Sequence, residues 1–182
     1  MAAGLLVLVS PVLLVVSLAI ALGGGPVLYR EPRVSRGRVF ELLKLRTLRR
    51  GVAAQGHARL LEADPANLTW VGRRILKPWY LDELPQLLNV LRGDISLVGP
   101  RPWPPELVER QVAEGQDYRL RIMAGLTGPA QVTKGGDQLY ANLDQRYVEA
   151  CRTLSGRALA RYDLRILRQT IDVIARGEGL SF

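Results

Sequence analysis

Two adjacent carboxylates, Asp82 and Glu83, stand just ahead of a stretch whose apolar residues recur at 84, 87, 88 and 91, the spacing of one helix face. Gly93 marks where that helix ends. Pro85 lacks an amide hydrogen and suits a first turn, so both acids lie near free backbone amides and the positive end of the helix dipole. Such surroundings favour the ionised forms. An ionised carboxylate can attack phosphorus as a nucleophile, and a second one beside it can hold a magnesium ion bridging phosphates. Neighbouring helical side chains point about 100° apart, so the two acids are expected to take different roles. A plain acidic first turn explains the same residues without chemistry. Downstream, Gly99-Pro100-Arg101-Pro102 holds an arginine on backbone that two prolines restrict. A rigid arginine loses less entropy on binding phosphate, although an incidental surface turn would look the same.

The rest of the chain must position these groups. With 182 residues, 48% of them apolar, it is long enough for one modest domain and an appendage. Its net charge is +8 and its basic residues are overwhelmingly arginine, whose planar fork suits phosphate. Nucleic acid, anionic lipid and nucleotide are the partners this suggests. The lone Cys151 excludes an internal disulfide and a cysteine-rich metal site, fits a reducing cytoplasm, and reads as core filler.

Residues 4 to 22 form an uncharged apolar run of about the twenty residues a helix needs to cross ~30 Å of hydrocarbon. Met1-Ala2-Ala3 supplies no basic region of the kind a cleaved signal peptide carries. Arg30, Arg33, Arg36, Arg38, Lys44, Arg46, Arg49 and Arg50 follow, against only Glu31 and Glu41, which places the following domain in the cytoplasm by the positive-inside rule. Some of these arginines are expected on anionic headgroups. Within the apolar run, Pro11 leaves the Val7 carbonyl without its helical donor, and the Ser10 hydroxyl can swing back to that turn. Physics alone admits both a spanning helix with a mild kink and a helix that dips into one leaflet and returns.

Beyond residue 29 the pattern is mixed. Residues 39 to 48 read as a strand or a short helix, and 51 to 69 as a loop holding His57, the only histidine, in a solvated setting. A helix is expected from Trp103 to Ala113, beginning with Pro104 and Pro105. Residues 125 to 137 should be loop with a short strand. Leu159, Tyr162, Ile166, Leu167, Thr170, Ile171 and Ile174 make one side of a final amphipathic helix, facing either the core or a membrane.

The segment LDELPQLLNVLRGDISLVGPRP, residues 81 to 102, resembles the signature of the bacterial sugar transferases, monotopic phosphoglycosyl transferases that act on polyprenol phosphate. GGPVLYR (24 to 30), FELLKLRTL (40 to 48), GLTGPAQV (125 to 132), LDQRYVE (143 to 149) and YDLRILRQT (162 to 170) fall in the same order, so the resemblance covers nearly the whole chain. It implies an α+β, predominantly helical fold: a re-entrant membrane segment over 1–28, broken at Ser10-Pro11, and a cytoplasmic domain over 29–182 with amphipathic helices on the membrane surface. It also implies transfer of a sugar 1-phosphate from a UDP-sugar donor to undecaprenyl phosphate at the bacterial inner membrane, with magnesium (Mg2+) as cofactor and UMP as product. Asp82 would be the nucleophile of a ping-pong reaction and Glu83 the metal ligand. Arg101 would hold donor phosphate, with Lys44, Arg46, Lys77 and Asp144 near the substrate phosphates.

The chain departs from the family pattern at Lys77, where an arginine is usual, at Tyr80, where a small hydroxyl is usual, and at Met123-Ala124, where a basic residue and a proline commonly stand. Membrane lipid is an expected partner and nucleic acid is not. The oligomeric state stays open, a homodimer included, as does the sugar. A nucleic-acid binder and a membrane-anchored adaptor with a degenerate site are the rival readings.

Overall fold

The computed structural model of the chain describes residues 2–52, 61–133 and 137–176, and is mixed α/β with helix predominating. His57 lies outside the described residues. Helix α1, Ala2–Leu22, is apolar throughout and leaves most of its surface bare, with Val7 and Leu8 each 74% exposed. Pro11 sits inside it without ending it. The Ser10 hydroxyl donates to the Val7 carbonyl at 2.8 Å, replacing the donor that proline lacks.

Strands β1, Leu28–Ser35, and β2, Arg38–Leu45, pair as a hairpin. Its turn, Arg36-Gly37, has φ of 50° and 70°, the left-handed pair of a type I′ turn, which matches the twist of the flanking strands. The stretch from 39 is therefore strand. Its period is unreadable because Leu42, Leu43, Lys44 and Leu45 are buried in succession, with no exposed face to alternate against.

The described residues fall into two compact units. The first comprises 2–30, 43–52, 61–88 and 174–176, the second 31–42 and 89–173 apart from 134–136. In the first, Val16 and Ile20 of α1 bury against Leu45 and Leu76, with Leu13, Val27, Val71 and Leu81 packed around them. A smaller cluster joins Leu48 and Leu68. The stretch expected as loop contains a 3-10 turn, Pro65–Asn67, capped by the Asp64 carboxylate. A π-type turn, Gly72–Leu76, and a second 3-10 turn, Leu81–Glu83, then lead to helix α2, Gln86–Arg92. Gly93, at φ 78°, closes α2 in the left-handed conformation glycine adopts most easily.

In the second unit, β3, Ser96–Val98, runs parallel to β4, Gly125–Thr127, with Ser96 opposite Gly125 and Val98 opposite Thr127. Five helices accompany them: α3, Pro105–Ala113; α4, Tyr118–Arg121; α5, Pro129–Val132; α6, Asp137–Thr153; and α7, Gly156–Ala175. The α3 start at the prolines and the short strand at 125 agree with the sequence, whereas α6 has no counterpart in it. Ile166 of α7 is 2% exposed and packs with Val98, Tyr147, Tyr162, Leu167 and the half-buried Cys151, so that cysteine does fill core space. Ile171 belongs to the same sequence stripe yet is 66% exposed.

Gly99 follows β3 and begins the loop that carries Arg101. A Cβ on Gly99 would stand 2.8 Å from both Gly125 N and Met123 O, closer than real Cβ contacts come. Only glycine lets the two backbones approach this way, and the approach fixes where Pro100-Arg101-Pro102 begins.

Candidate active site

Each unit carries a buried charged cluster that includes residues singled out in the sequence. In the first, the chain turns through a left-handed Tyr80, φ 53°, unusual for a bulky residue, directly before the Leu81–Glu83 turn. That turn buries Asp82 to 1% exposure while Glu83 stays half-buried. The acids therefore lie in a 3-10 turn one step ahead of α2, and burial outweighs the helix end. It pushes the Asp82 carboxyl above its ordinary value; Lys77 pulls it back, Glu83 adds to the rise, and Lys44 opposes it. The expectation that the surroundings favour the ionised form is thus corrected: desolvation works against it, and the lysines resist.

Lys77 is the hinge of this cluster. Its Nζ lies 3.0 Å from Asp82 Oδ2 and 2.6 Å from Glu62 Oε2. Burial pushes the ammonium down, but the carboxylates of Asp82 and Glu62 outweigh it and hold it above its ordinary value. Glu62 is fixed in turn by the Thr47 hydroxyl, which donates to Oε1 at 2.5 Å. Lys44 on β2 is 9% exposed, and its charge acts on Asp82. Of the basic residues from 30 to 50, Lys44 and Arg46 are buried, whereas Arg30, Arg36, Arg38, Arg49 and Arg50 are exposed.

Arg46 lies in this unit too, but its guanidinium turns toward the end of α1, where Nη2 donates to the Ile20 carbonyl at 3.2 Å. Ser10 and Pro11 lie within α1, joined to its backbone as described.

In the second unit, Asp144 on α6 is 1% exposed, and its Oδ2 lies 2.5 Å from Arg119 Nη2. The other arm of Arg119, Nη1, donates to the Arg101 carbonyl at 2.5 Å, and its guanidinium stacks 4.1 Å over the Trp103 ring. Burial lifts Asp144 to about 6, Arg119 working against the rise. Asp144 is thus engaged by an arginine of its own unit, and through that arginine it braces the backbone of Arg101.

Sequence reasoning missed Glu62 and Arg119. Arg119 answers the need of a buried acid for a cationic partner, but the burial of Asp144 is visible only in the fold. Glu62 had no signal, since it lies in a stretch without periodicity.

Among the described residues no group of three His, Cys, Asp or Glu side chains is placed to hold a metal alone. Two neighbouring carboxylates, Asp82 and Glu83, are the donor set available near Lys77. That suits magnesium, which is commonly bound by one or two carboxylates together with substrate phosphates.

The profile of the family described as bacterial sugar transferase matches residues 1–177. A UDP-glucose:undecaprenyl-phosphate glucose-1-phosphate transferase of Caulobacter vibrioides is 41% identical over 176 residues, covering 93% of this chain and 65% of that protein. An undecaprenyl-phosphate galactose phosphotransferase of Salmonella typhimurium is 35% identical, covering 96% of this chain and 39% of the relative. The exopolysaccharide production protein ExoY of Sinorhizobium fredii is 34% identical, covering 96% and 81%. The chain thus spans less than two thirds of the first two relatives. The match along nearly its whole length shows that the chain belongs to the bacterial sugar transferase family.

Proposed function

We propose that the chain transfers a sugar 1-phosphate from a UDP-sugar to undecaprenyl phosphate, forming a polyprenyl-diphospho-sugar and UMP. The observation that carries this reading is the buried Asp82 carboxylate, paired with Lys77 and adjacent to Glu83. A carboxylate kept from water but beside two ammonium groups is poorly hydrated and still chargeable, which suits a nucleophile. In the first displacement an Asp82 oxygen forms a bond to the β-phosphorus of the donor while the bond from that phosphorus to the bridging oxygen breaks, releasing UMP. In the second, a phosphate oxygen of the lipid attacks the same phosphorus and Asp82 leaves as carboxylate. Two displacements at one carboxylate give ping-pong kinetics.

Lys77 is 29% exposed against 2% for the Asp82 side chain, so an arriving phosphate meets the ammonium first and draws it from the carboxylate. Lys44 adds positive charge on the developing phosphoryl oxygens. Glu83 would hold magnesium, which neutralises charge on the donor diphosphate when bound. Arg101 would hold a donor phosphate, its backbone steadied by Arg119 and, through it, by Asp144.

The membrane places the lipid acceptor. Helix α1 passes the length and composition test for crossing a bilayer, and its bare leucines and valines need lipid. Trp70 and Trp79, 68% and 48% exposed in the first unit, suit the headgroup layer. Pro11, with the Val7 carbonyl satisfied by Ser10, lets α1 bend and return to the cytoplasmic face of the inner membrane as a re-entrant segment over 1–28, with 29–182 as the cytoplasmic domain. Nothing in the described residues favours a non-catalytic adaptor. The test is UMP release across a panel of UDP-sugars with magnesium and undecaprenyl phosphate: release with at least one donor is expected, and silence across the panel contradicts the reading.

A further inference from the structure

The end of α1 holds a feature that the phosphoryl-transfer reading leaves unused. Gly23, Gly24 and Gly25 turn the chain out of the helix, with Gly24 at φ 73° and Gly25 at φ 91°. Two guanidinium groups close over that turn. A Cβ on Gly25 would collide with Arg46 Nη1 and stand 3.2 Å from Arg50 Nε, and one on Gly24 would stand 3.3 Å from Arg50 Nη1. Glycine at these positions lets both guanidinium groups pack directly onto the backbone of the turn.

Arg46 is 8% exposed, and among the described residues only its Nη2 has a hydrogen-bond partner, the Ile20 carbonyl. Its Nε and Nη1 are buried with no hydrogen-bond partner among those residues. Burial, and then the charge of Arg50, push the guanidinium below its ordinary value, so the charge stands in an unfavourable setting on both counts. The same side chain lines a pocket of about 220 Å3 together with Pro26, Tyr29, Arg49 and Arg50. Glu62 also reaches this pocket, but its two oxygens are engaged by Thr47 and Lys77, which leaves the Arg46 guanidinium with donors unmatched by an oxygen among the described residues.

We propose that Arg46 and Arg50, over the Gly23–Gly25 turn, bind the phosphate group of a lipid. Phosphate presents several charged oxygens, enough to accept from Arg46 Nη1 and from Arg50 together, which a single carbonyl cannot do. The lipid origin follows from the last turn of the apolar α1, whose Ile20 carbonyl holds Arg46, and from Pro26, Leu28 and Tyr29, whose apolar surfaces suit the methylenes next to a lipid phosphate. Both a polyprenyl phosphate and a bilayer phospholipid carry this chemistry. The inference goes beyond the transfer reaction and does not depend on turnover.

The test uses the full chain with Asp82→Asn, in nanodiscs, so that no lipid is consumed. Retained lipid is read by native mass spectrometry after exposure to undecaprenyl phosphate, to phosphatidylglycerol or to inorganic phosphate. Arg50 is exposed, so Arg50→Gln should fold, and loss of one charge-assisted contact is expected to lower retention about tenfold. Arg46→Gln should lower it at least as far, with the melting temperature measured alongside because Arg46 also caps α1. Arg38→Gln, an exposed charge elsewhere, should change retention less than about twofold.

Arg50-dependent retention of undecaprenyl phosphate supports the site and makes it an acceptor site; the same dependence for phosphatidylglycerol supports it as a bilayer-lipid site. Retention of either lipid unchanged in Arg50→Gln, or binding of inorganic phosphate alone, overturns it. If the wild-type enzyme releases UMP while retention ignores Arg50, this inference fails and the transfer reading stands. If retention depends on Arg50 in a protein that releases no UMP, the reverse holds.

Discussion

Lys77 holds its ammonium 3.0 Å from Asp82 and 2.6 Å from Glu62, so one cation is shared between the buried carboxylate and a second acid that the Thr47 hydroxyl keeps in place. In that arrangement burial holds the proton on Asp82 and Lys77 works against it.

Lys77→Met removes the strongest pull on an Asp82 carboxyl that burial pushes upward. Its pKa should rise further, so the ionised fraction at neutral pH falls and the acid limb of the rate profile moves to higher pH. Turnover at pH 7 is expected to fall, by up to about one decade for each unit of rise, with partial recovery in alkaline buffer. Lys77→Arg, which keeps the charge, should hold the limb near its original position. A pH–rate profile checks this; an unmoved acid limb in Lys77→Met would mean that Lys77 does not tune the reacting carboxylate.

Asp144 makes the matching prediction for stability. Its carboxyl lies at about 6 in the folded chain against an ordinary 3.8, so it holds its proton more tightly folded than unfolded. That contribution is fully present below the unfolded value and is lost as pH rises through about 6. The thermal midpoint in detergent should therefore fall between about pH 4 and about pH 6.5, by a component of at most ~3 kcal/mol. Asp144→Asn should flatten that slope. A slope unchanged in the variant would assign it to other groups.

Gly99→Ala forces a methyl against Gly125 N and Met123 O. The parallel β3–β4 pair must open or shift, at a cost of about 1–3 kcal/mol, and the loop carrying Arg101 moves with it. A lowered melting temperature together with a raised KM for the UDP-sugar is expected. Wild-type values for both would show that the close backbone approach is not required.

The membrane reading is checked by single cysteines at Ala3 and Leu22 in a Cys151→Ser background. A re-entrant α1 predicts that both are labelled by a membrane-impermeant maleimide from the cytoplasmic side. Labelling from opposite sides would make α1 a spanning helix.

How much of this was legible beforehand follows from which signals are local. Ser10 bonding back across Pro11, the α3 start at its prolines, the glycine stop of α2 and the strand at 125 are set by residues close in sequence, and each agrees with the structure. The hairpin was ambiguous because four successive residues of β2 are buried, which erases the alternation that identifies a strand. The acid pair stands just ahead of a helix as the spacing indicates, but the electrostatics of Asp82 run opposite to the expectation. Proximity to a helix start is visible in sequence, whereas the depth of Asp82 depends on the Tyr80 turn and on packing of Leu81 against residues 13 to 76. Glu62 and Arg119 act over 15 and 25 positions of separation on Lys77 and Asp144, a range that spacing rules do not reach.

The central claim, that Asp82 carries the sugar phosphate, is tested most directly by intact-protein and peptide mass spectrometry of enzyme quenched after mixing with a turned-over UDP-sugar and magnesium, with no lipid acceptor. An added mass equal to the sugar phosphate on the peptide containing Asp82, absent in Asp82→Asn and discharged by undecaprenyl phosphate, is the predicted result. UMP released in step with lipid product while that peptide stays unmodified at every quench time, or an adduct that persists in Asp82→Asn, would contradict it.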